Sequence, residues 1–239
     1  MLDITTYCIP APSGVSAVLA LAADLHNCPY TELLSAIRAQ TPDAVVIAGD
    51  LMEDTGRGGG RSLSFLRETA AEFPVFYGLG NHEKFLGERD FDIIRETGAH
   101  LLIDAWERFG ALTIGACAPD PRGSIGRVTP EHHAFWAAFS QTEGFRVLLC
   151  HRPEWYHTHI KKDDIPLVLS GHAHGGQIRL LGHPVFSPGQ GLFPKYAQGI
   201  HDGRLIVSRG LGNHTIVPRF FNAPELCIIR IGAAPLSGQ

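Results

Sequence analysis

The sequence has no Cys-x-x-Cys pair, no run of like charge, no internal repeat and no low-complexity segment. Its five cysteines (Cys8, Cys28, Cys117, Cys150 and Cys227) are scattered and odd in number. That argues against a disulfide framework and for plain buried thiols in a reducing compartment. Basic excess is also missing: the formal net charge is −4 with histidine neutral. The electrostatic footprint of a nucleic-acid binder is therefore absent, and no nucleic-acid partner is expected. Long apolar runs are lacking too. "VSAVLALAA", residues 15 to 23, is about half of the ~20 residues a membrane-spanning helix needs. No Lys or Arg precedes it, as one would in a signal peptide. It reads as a buried strand, and the chain as a cytoplasmic protein for which peripheral membrane contact is possible but not indicated.

What is present is globular: 239 residues, 44% hydrophobic and 18% charged, enough to bury the core of one large domain over residues 1–239. Five short runs ("VSAVLALAAD", "DAVVIAGD", "PVFYGLGNH", "FRVLLCH" and "PLVLSGH") are of strand length and nearly continuously apolar. That pattern suits strands buried on both faces. Helical patterns lie between them. Residues 30–40 place Leu33, Leu34 and Ile37 on one face and stop before Pro42, and 61–73 stop before Pro74. Residues 90–98 end on Gly98, and 129–141 begin with Thr129 as N-cap and Pro130 in the first turn. Strand and helix alternate to about residue 172, after which "QIRLLG", "GRLIVSRG" and "ELCIIRI" read as further strands. The expected fold is α/β: mixed β-sheets packed as a sandwich and flanked by helices. Residues 56–60 and 182–199 read as loops, the second long enough to suggest function.

The polar residues that follow the apolar runs are of one chemical kind. Asp24 and His26 follow the first, Asp50 the second, and Asn81, His82 and Glu83 the third. His151 follows the fourth, and His172 and His174 the fifth. Ligands of open α/β sheets bind at this strand edge. Buried carboxylates are costly unless paired or bound to metal, and imidazole with carboxylate and amide oxygen suits divalent manganese, iron or zinc. Asp24, His26, Asp50, Asn81, His151, His172 and His174 are too many for one ion and suit two ions sharing one carboxylate.

In order, D-x-H, G-D, G-N-H-E, a lone strand-end H and G-H-x-H resemble the calcineurin-like metallophosphoesterase superfamily. The segments "GHAHGGQIRL", "PKYAQG", "LIVSRGLG" and "PRFFNAPEL" look like a bacterial phosphodiesterase subgroup that is often membrane-tethered. The resemblance implies that Asp24, His26 and His174 hold one metal, that Asn81, His151 and His172 hold the other, and that Asp50 bridges them. His82 would protonate the leaving oxygen, with Glu83 orienting it. The implied cofactors are two divalent ions, manganese first, iron or zinc as alternatives. The sequence departs from the subgroup at its start, "MLDITTYC", where relatives commonly carry a membrane helix, and at Asn27-Cys28.

Among the remaining candidates, Arg209 and His214 are the residues expected to face a substrate phosphate, with Arg152, Arg179 and Lys195 behind them. His132 and His133 are expected at the surface, and His157 and His159 in a solvated turn. The expected activity is hydrolysis of a phosphodiester or pyrophosphate bond in a small molecule or in a lipid or nucleotide headgroup. A nuclease of the same superfamily and a non-catalytic scaffold are the alternatives.

Overall fold

The computed structural model describes residues 1–53, 60–119, 127–181, 183–187, 189–212 and 219–232. The chain runs β1 (Asp3–Pro10), β2 (Ala17–Ala22), α1 (Thr31–Gln40), β3 (Ala44–Ala48), α2 (Gly60–Ala70), β4 (Val75–Gly78), α3 (Glu88–Arg95) and β5 (His100–Leu102). It continues through β6 (Ala105–Phe109), β7 (Leu112–Ala116), α4 (Pro130–Phe139), β8 (Phe145–Leu149) and β9 (Leu167–Ser170). Then come β10 (Arg179–Leu180), β11 (His183–Pro184), β12 (Phe186–Ser187), β13 (Gly191–Leu192), β14 (Gly199–His201), β15 (Leu205–Val207) and β16 (Glu225–Gly232).

Two six-stranded sheets form, in the orders β1-β16-β2-β3-β4-β5 and β14-β15-β9-β8-β7-β6. Strands β2 to β5 are mutually parallel, as are β7, β8, β9 and β15. Within β2, Leu19 and Leu21 face the second sheet and share a core cluster with its Ile114, Val147 and Leu169 and with Ile229 of the neighbouring β16. Ala20 and Ala22 face the opposite way and share a cluster with Leu33 and Ile37 of α1 and Phe65 and Leu66 of α2. The period of two therefore feeds two separate cores, which explains why the strands read as uninterrupted apolar runs. On the far side, Trp136 and Phe139 of α4 cover Leu148 and Val168 of the second sheet. The result is a helix–sheet–sheet–helix stack, the sandwich that the alternating pattern predicts.

Some expectations need correction. β1 and β7 do not stand out in the sequence: β1 is a half-exposed edge strand carrying Asp3, Thr5 and Thr6, and β7 is interrupted by Gly115, where a Cβ would lie 2.7 Å from the Phe139 ring. His132 is buried rather than at the surface. Its Nδ1 accepts from the Thr129 backbone N–H at 3.0 Å, and its Nε2 lies 2.8 Å from Ala118 O, so it closes the first turn of α4 from within. The described part of 182–199 is not a plain loop, since it contributes to two hairpins, β10–β11 and β12–β13. Residues 56–59 lie outside the described residues.

Candidate metal centre

Because β2, β3 and β4 of one sheet and β8 and β9 of the other run parallel within their sheets, the candidate residues all follow strand C-terminal ends. Asp24 and His26 follow β2, Asp50 follows β3, Asn81 and His82 follow β4, His151 follows β8 and His172 follows β9. Backbone bonds lace these loops together. The Asp24 N–H donates to Gly49 O at 3.0 Å and the His26 N–H to Asp50 O at 3.1 Å. Asp24 ties the two sheets to each other by accepting the His172 N–H at 3.0 and 3.1 Å. Asp50 Oδ1 accepts the His82 N–H at 2.8 Å.

The backbone at these residues is strained. Asp24, His26, Asp50, His172 and His174 have φ of 53°, 49°, 50°, 66° and 47°. Left-handed backbone costs a residue with a Cβ roughly 1 kcal/mol or more, and such outliers persist where surrounding structure over-determines them, often at functional sites. Glycine gives the neighbouring loops the closeness they need. A Cβ on Gly171 would lie 2.6 Å from Asp24 Oδ2, and one on Gly80 would lie 2.2 Å from Asp50 Oδ1.

The side chains converge in two groups of donor atoms, Asp24, His26 and His174, and Asp50, His151 and His172, each with its atoms within 4.8 Å of one another. His26 also groups with Asp50 and His82, which makes the two sets adjacent. His26 Nε2 lies 3.4 Å from His174 Nε2, which is 3.6 Å from Asp24 Oδ1. Asp50 Oδ2 lies 3.1 Å from His151 Nε2 and 3.8 Å from His82 Nε2. The His151 ring is fixed by its Nδ1, 2.7 Å from Ala48 O across the sheet interface. His82 is the more open residue of this last trio, with 17% of its side chain exposed against 1% for Asp50 and 4% for His151.

Burial and mutual charge set the electrostatics. Burial raises the Asp24 carboxyl to about 7; the His151 ring opposes that rise and the Asp50 charge adds to it. Burial also pushes Asp50 upward, but the His151, His82 and His26 rings outweigh it and hold the carboxyl well below its ordinary range. In return, although burial works against it, the charge of Asp50 raises His151 to about 9. His174 is lowered to about 3 by burial and then by Arg219, and His172 is lowered by burial, His151 and Arg152.

The residues present suit divalent cations. The set is imidazole and carboxylate without thiolate, and its carboxylates are almost wholly buried. Beside it, Asn81 Oδ1 is buried without a hydrogen-bond donor, an acceptor waiting for a partner.

Two expectations about individual residues change. Glu83 does not orient His82. Its Oε2 accepts the N–H groups of Asp50 and Gly80 at 2.9 and 2.7 Å, and its Oε1 accepts the Met52 N–H and the Tyr77 hydroxyl at 2.9 and 2.8 Å. Four donors fill the carboxylate's lone-pair positions and leave none for an imidazole, so Glu83 clamps the loops after β3 and β4. Arg209 is committed elsewhere, its guanidinium held by Asp3 at 3.0 Å and Glu225 at 3.3 Å. Arg219 lies beside the site instead, with one guanidinium nitrogen 3.4 Å from His174 Nδ1 and the others on Gly212 O and Arg209 O. Nothing in "PRFFN" marks it, since the approach depends on where the returning chain packs. Arg152 is buried between Glu154 Oε1 at 3.0 Å and His172 Nε2 at 3.2 Å. His214 lies outside the described residues.

A four-layer sandwich with carboxylates and imidazoles gathered at one strand edge defines a protein with an α/β metal-site architecture. The chain belongs to the calcineurin-like phosphoesterase family, whose sequence pattern matches residues 18–176. That is a family of metal-dependent phosphoester hydrolases. A metallophosphoesterase of Campylobacter jejuni is 28% identical over 219 residues, covering 88% of this chain, which spans only 56% of that relative. One from Aquifex aeolicus is 27% identical, covering 92% of this chain and 87% of its own. The UDP-2,3-diacylglucosamine pyrophosphatase of Chlamydia muridarum is 36% identical over 94 residues, 35% of this chain and 28% of that one. A solved structure from Thermus thermophilus aligns with a TM-score of 0.46 and 14% identity over 66% of this chain and 82% of that one.

Proposed function

We propose that the chain is a binuclear phosphoesterase that cleaves a phosphodiester or pyrophosphate bond in a small molecule or in a lipid or nucleotide headgroup. Asp24, His26 and His174 would hold one ion, Asn81, His151 and His172 the other, and Asp50 both. The observation that carries this reading is the adjacency of the two three-residue donor groups, joined through His26 and Asp50. Two divalent ions bound there, manganese, iron or zinc, would supply Lewis acidity and an acidified water.

The chain's own groups do the rest. Arg152 and Arg219 carry positive charge to opposite ends of the cluster, beside His172 and His174 respectively, where an anionic phosphoryl group would be drawn in. His82, at the mouth of the cluster and 3.8 Å from Asp50, would hand its proton to the departing oxygen. The Chlamydia relative is named as a pyrophosphatase, which keeps the pyrophosphate bond beside the phosphodiester as a candidate.

The test is to strip the protein of metal, reload it separately with manganese, iron and zinc, and assay bis-p-nitrophenyl phosphate and a nucleoside-diphosphate sugar. Turnover of at least one substrate that returns with metal is expected. A fully loaded, folded protein inert on both would sink the reading.

A further inference from the structure

The rim of the candidate metal centre carries an apolar surface that the phosphoesterase chemistry does not use. Leu181 is 92% exposed, Phe193 77% and Phe221 79%, and Leu180, Leu192 and Phe220 are also exposed. They form one surface. Phe220 O accepts the Arg179 N–H at 3.0 Å, Val185 N–H donates to Ile178 O at 2.9 Å, and Phe193 N–H donates to Val185 O at 2.8 Å. The Phe220 and Phe221 rings touch, with centroids 4.6 Å apart. Between the hairpins, Leu180, Leu181, Val185 and Phe193 line a groove of about 460 Å³. Leu181, Phe193 and Phe221 sit at φ of 50°, 52° and 52°, a backbone that L side chains rarely adopt, and each turns its side chain outward.

The surface abuts the site. A Cβ on Gly189, between β12 and β13, would lie 3.2 Å from His172 Nε2, and one on Gly176, just after His174, would lie 2.2 Å from Pro184 Cβ. Asn222, next to Phe221, donates to His174 O at 2.5 Å.

Charge indicates what covers it. No Asp or Glu occurs between Asp164 and Asp202, and between Asp202 and Glu225 there is none either, although the whole chain carries a net charge of −4. Lys195 is exposed on the same segment. Projecting apolar side chains with a lysine beside them and no Asp or Glu within residues 165–201 match an anionic lipid surface: the side chains enter the headgroup–acyl boundary and the lysine meets the headgroups. A large exposed apolar patch calls for a partner.

We infer that this rim docks the protein on anionic phospholipid bilayers, which sets the metal centre against the headgroup layer. The lipid-headgroup consequence rests on the phosphoesterase reading; the docking itself does not. The test is co-sedimentation of metal-loaded protein with vesicles of phosphatidylcholine alone and of phosphatidylcholine mixed equally with phosphatidylglycerol. Binding to the anionic vesicles is expected, weakened by salt and by Lys195→Glu, and lowered roughly tenfold or more in Leu181→Asp/Phe193→Asp. Turnover of bis-p-nitrophenyl phosphate by that double variant is expected to stay at the unsubstituted level, which also reports that it is folded. Absence of sedimentation with either vesicle, or equal binding by the double variant, overturns the inference. So does a dimer in sedimentation velocity that the double variant converts to monomer, since the face would then cover a second copy. A metal-loaded protein that binds vesicles yet hydrolyses no phosphoester would overturn the phosphoesterase reading and leave the docking standing.

Discussion

His82 and Glu83 are neighbours in sequence with separate tasks in space. His82 keeps its ring at the site mouth, while Glu83 is 1% exposed and holds four donors. If His82 supplies the proton, His82→Ala should lower kcat by roughly 10²- to 10⁴-fold and leave the metal content unchanged. Elemental analysis beside steady-state kinetics reads both, and full activity in that variant would end the acid role. Glu83→Gln replaces one acceptor oxygen with an NH₂ group that must face donors. It should cost about 1–3 kcal/mol of stability, read as a lower urea midpoint, without moving the pH limb that reports His82. A shifted limb with unchanged stability would restore the orienting role that the sequence suggests.

At the scale of elements, the strands that matter most to the site were the most legible. β2, β3, β4, β8 and β9 are buried on both faces, so their composition alone marks them, and Asp24, Asp50, Asn81, His151 and His172 follow at their ends. What stayed hidden depends on contacts between distant segments. β1 is recognisable only beside β16, with which it pairs over its whole length. His132 is buried because Ala118 offers it a carbonyl, and Glu83 is a clamp because Tyr77 and the Met52 backbone reach it. Arg219 nears His174 through a chain return that local periodicity does not register. The turn after β9 is tight for the same kind of reason. In Gly171→Ala the new methyl would have to displace the Asp24 carboxylate or Ala23, whose Cβ would be 2.7 Å away. Since Asp24 also receives the His172 N–H, the variant should bind metal at least tenfold more weakly. Competition with a chromophoric chelator measures this, and undiminished affinity would show that the loop yields.

For the molecule as a whole, metal binding, protonation and stability are linked. In the metal-free protein His151 is raised to about 9 against an ordinary 6.5, so it carries a proton at neutral pH. A group raised in this way stabilises the fold fully below 6.5 and ceases to do so as pH climbs through 9. His174, lowered to about 3, works in the opposite sense: its contribution is present above 6.5 and is lost as pH falls toward 3. Asp24, raised to about 7, loses its contribution as pH climbs from 3.8 to 7 and so offsets His174, but His172 is lowered as well, and the metal-free protein should lose stability on both sides of the near-neutral range. A cation can take the His151 nitrogen only by displacing its proton, while His172 and His174 are already neutral. Loading at pH 7.5 should release roughly one proton from His151, and the gain in Tm on adding manganese or zinc should grow from pH 6.5 to 9. Calorimetric titration in buffers of different ionisation enthalpy counts the protons, and thermal denaturation across that range gives the slope. A binding enthalpy independent of buffer, with a flat gain in Tm, would mean that the Asp50–His151 pair does not receive the cation, and with it the assignment of Asp50 as the shared ligand would fail.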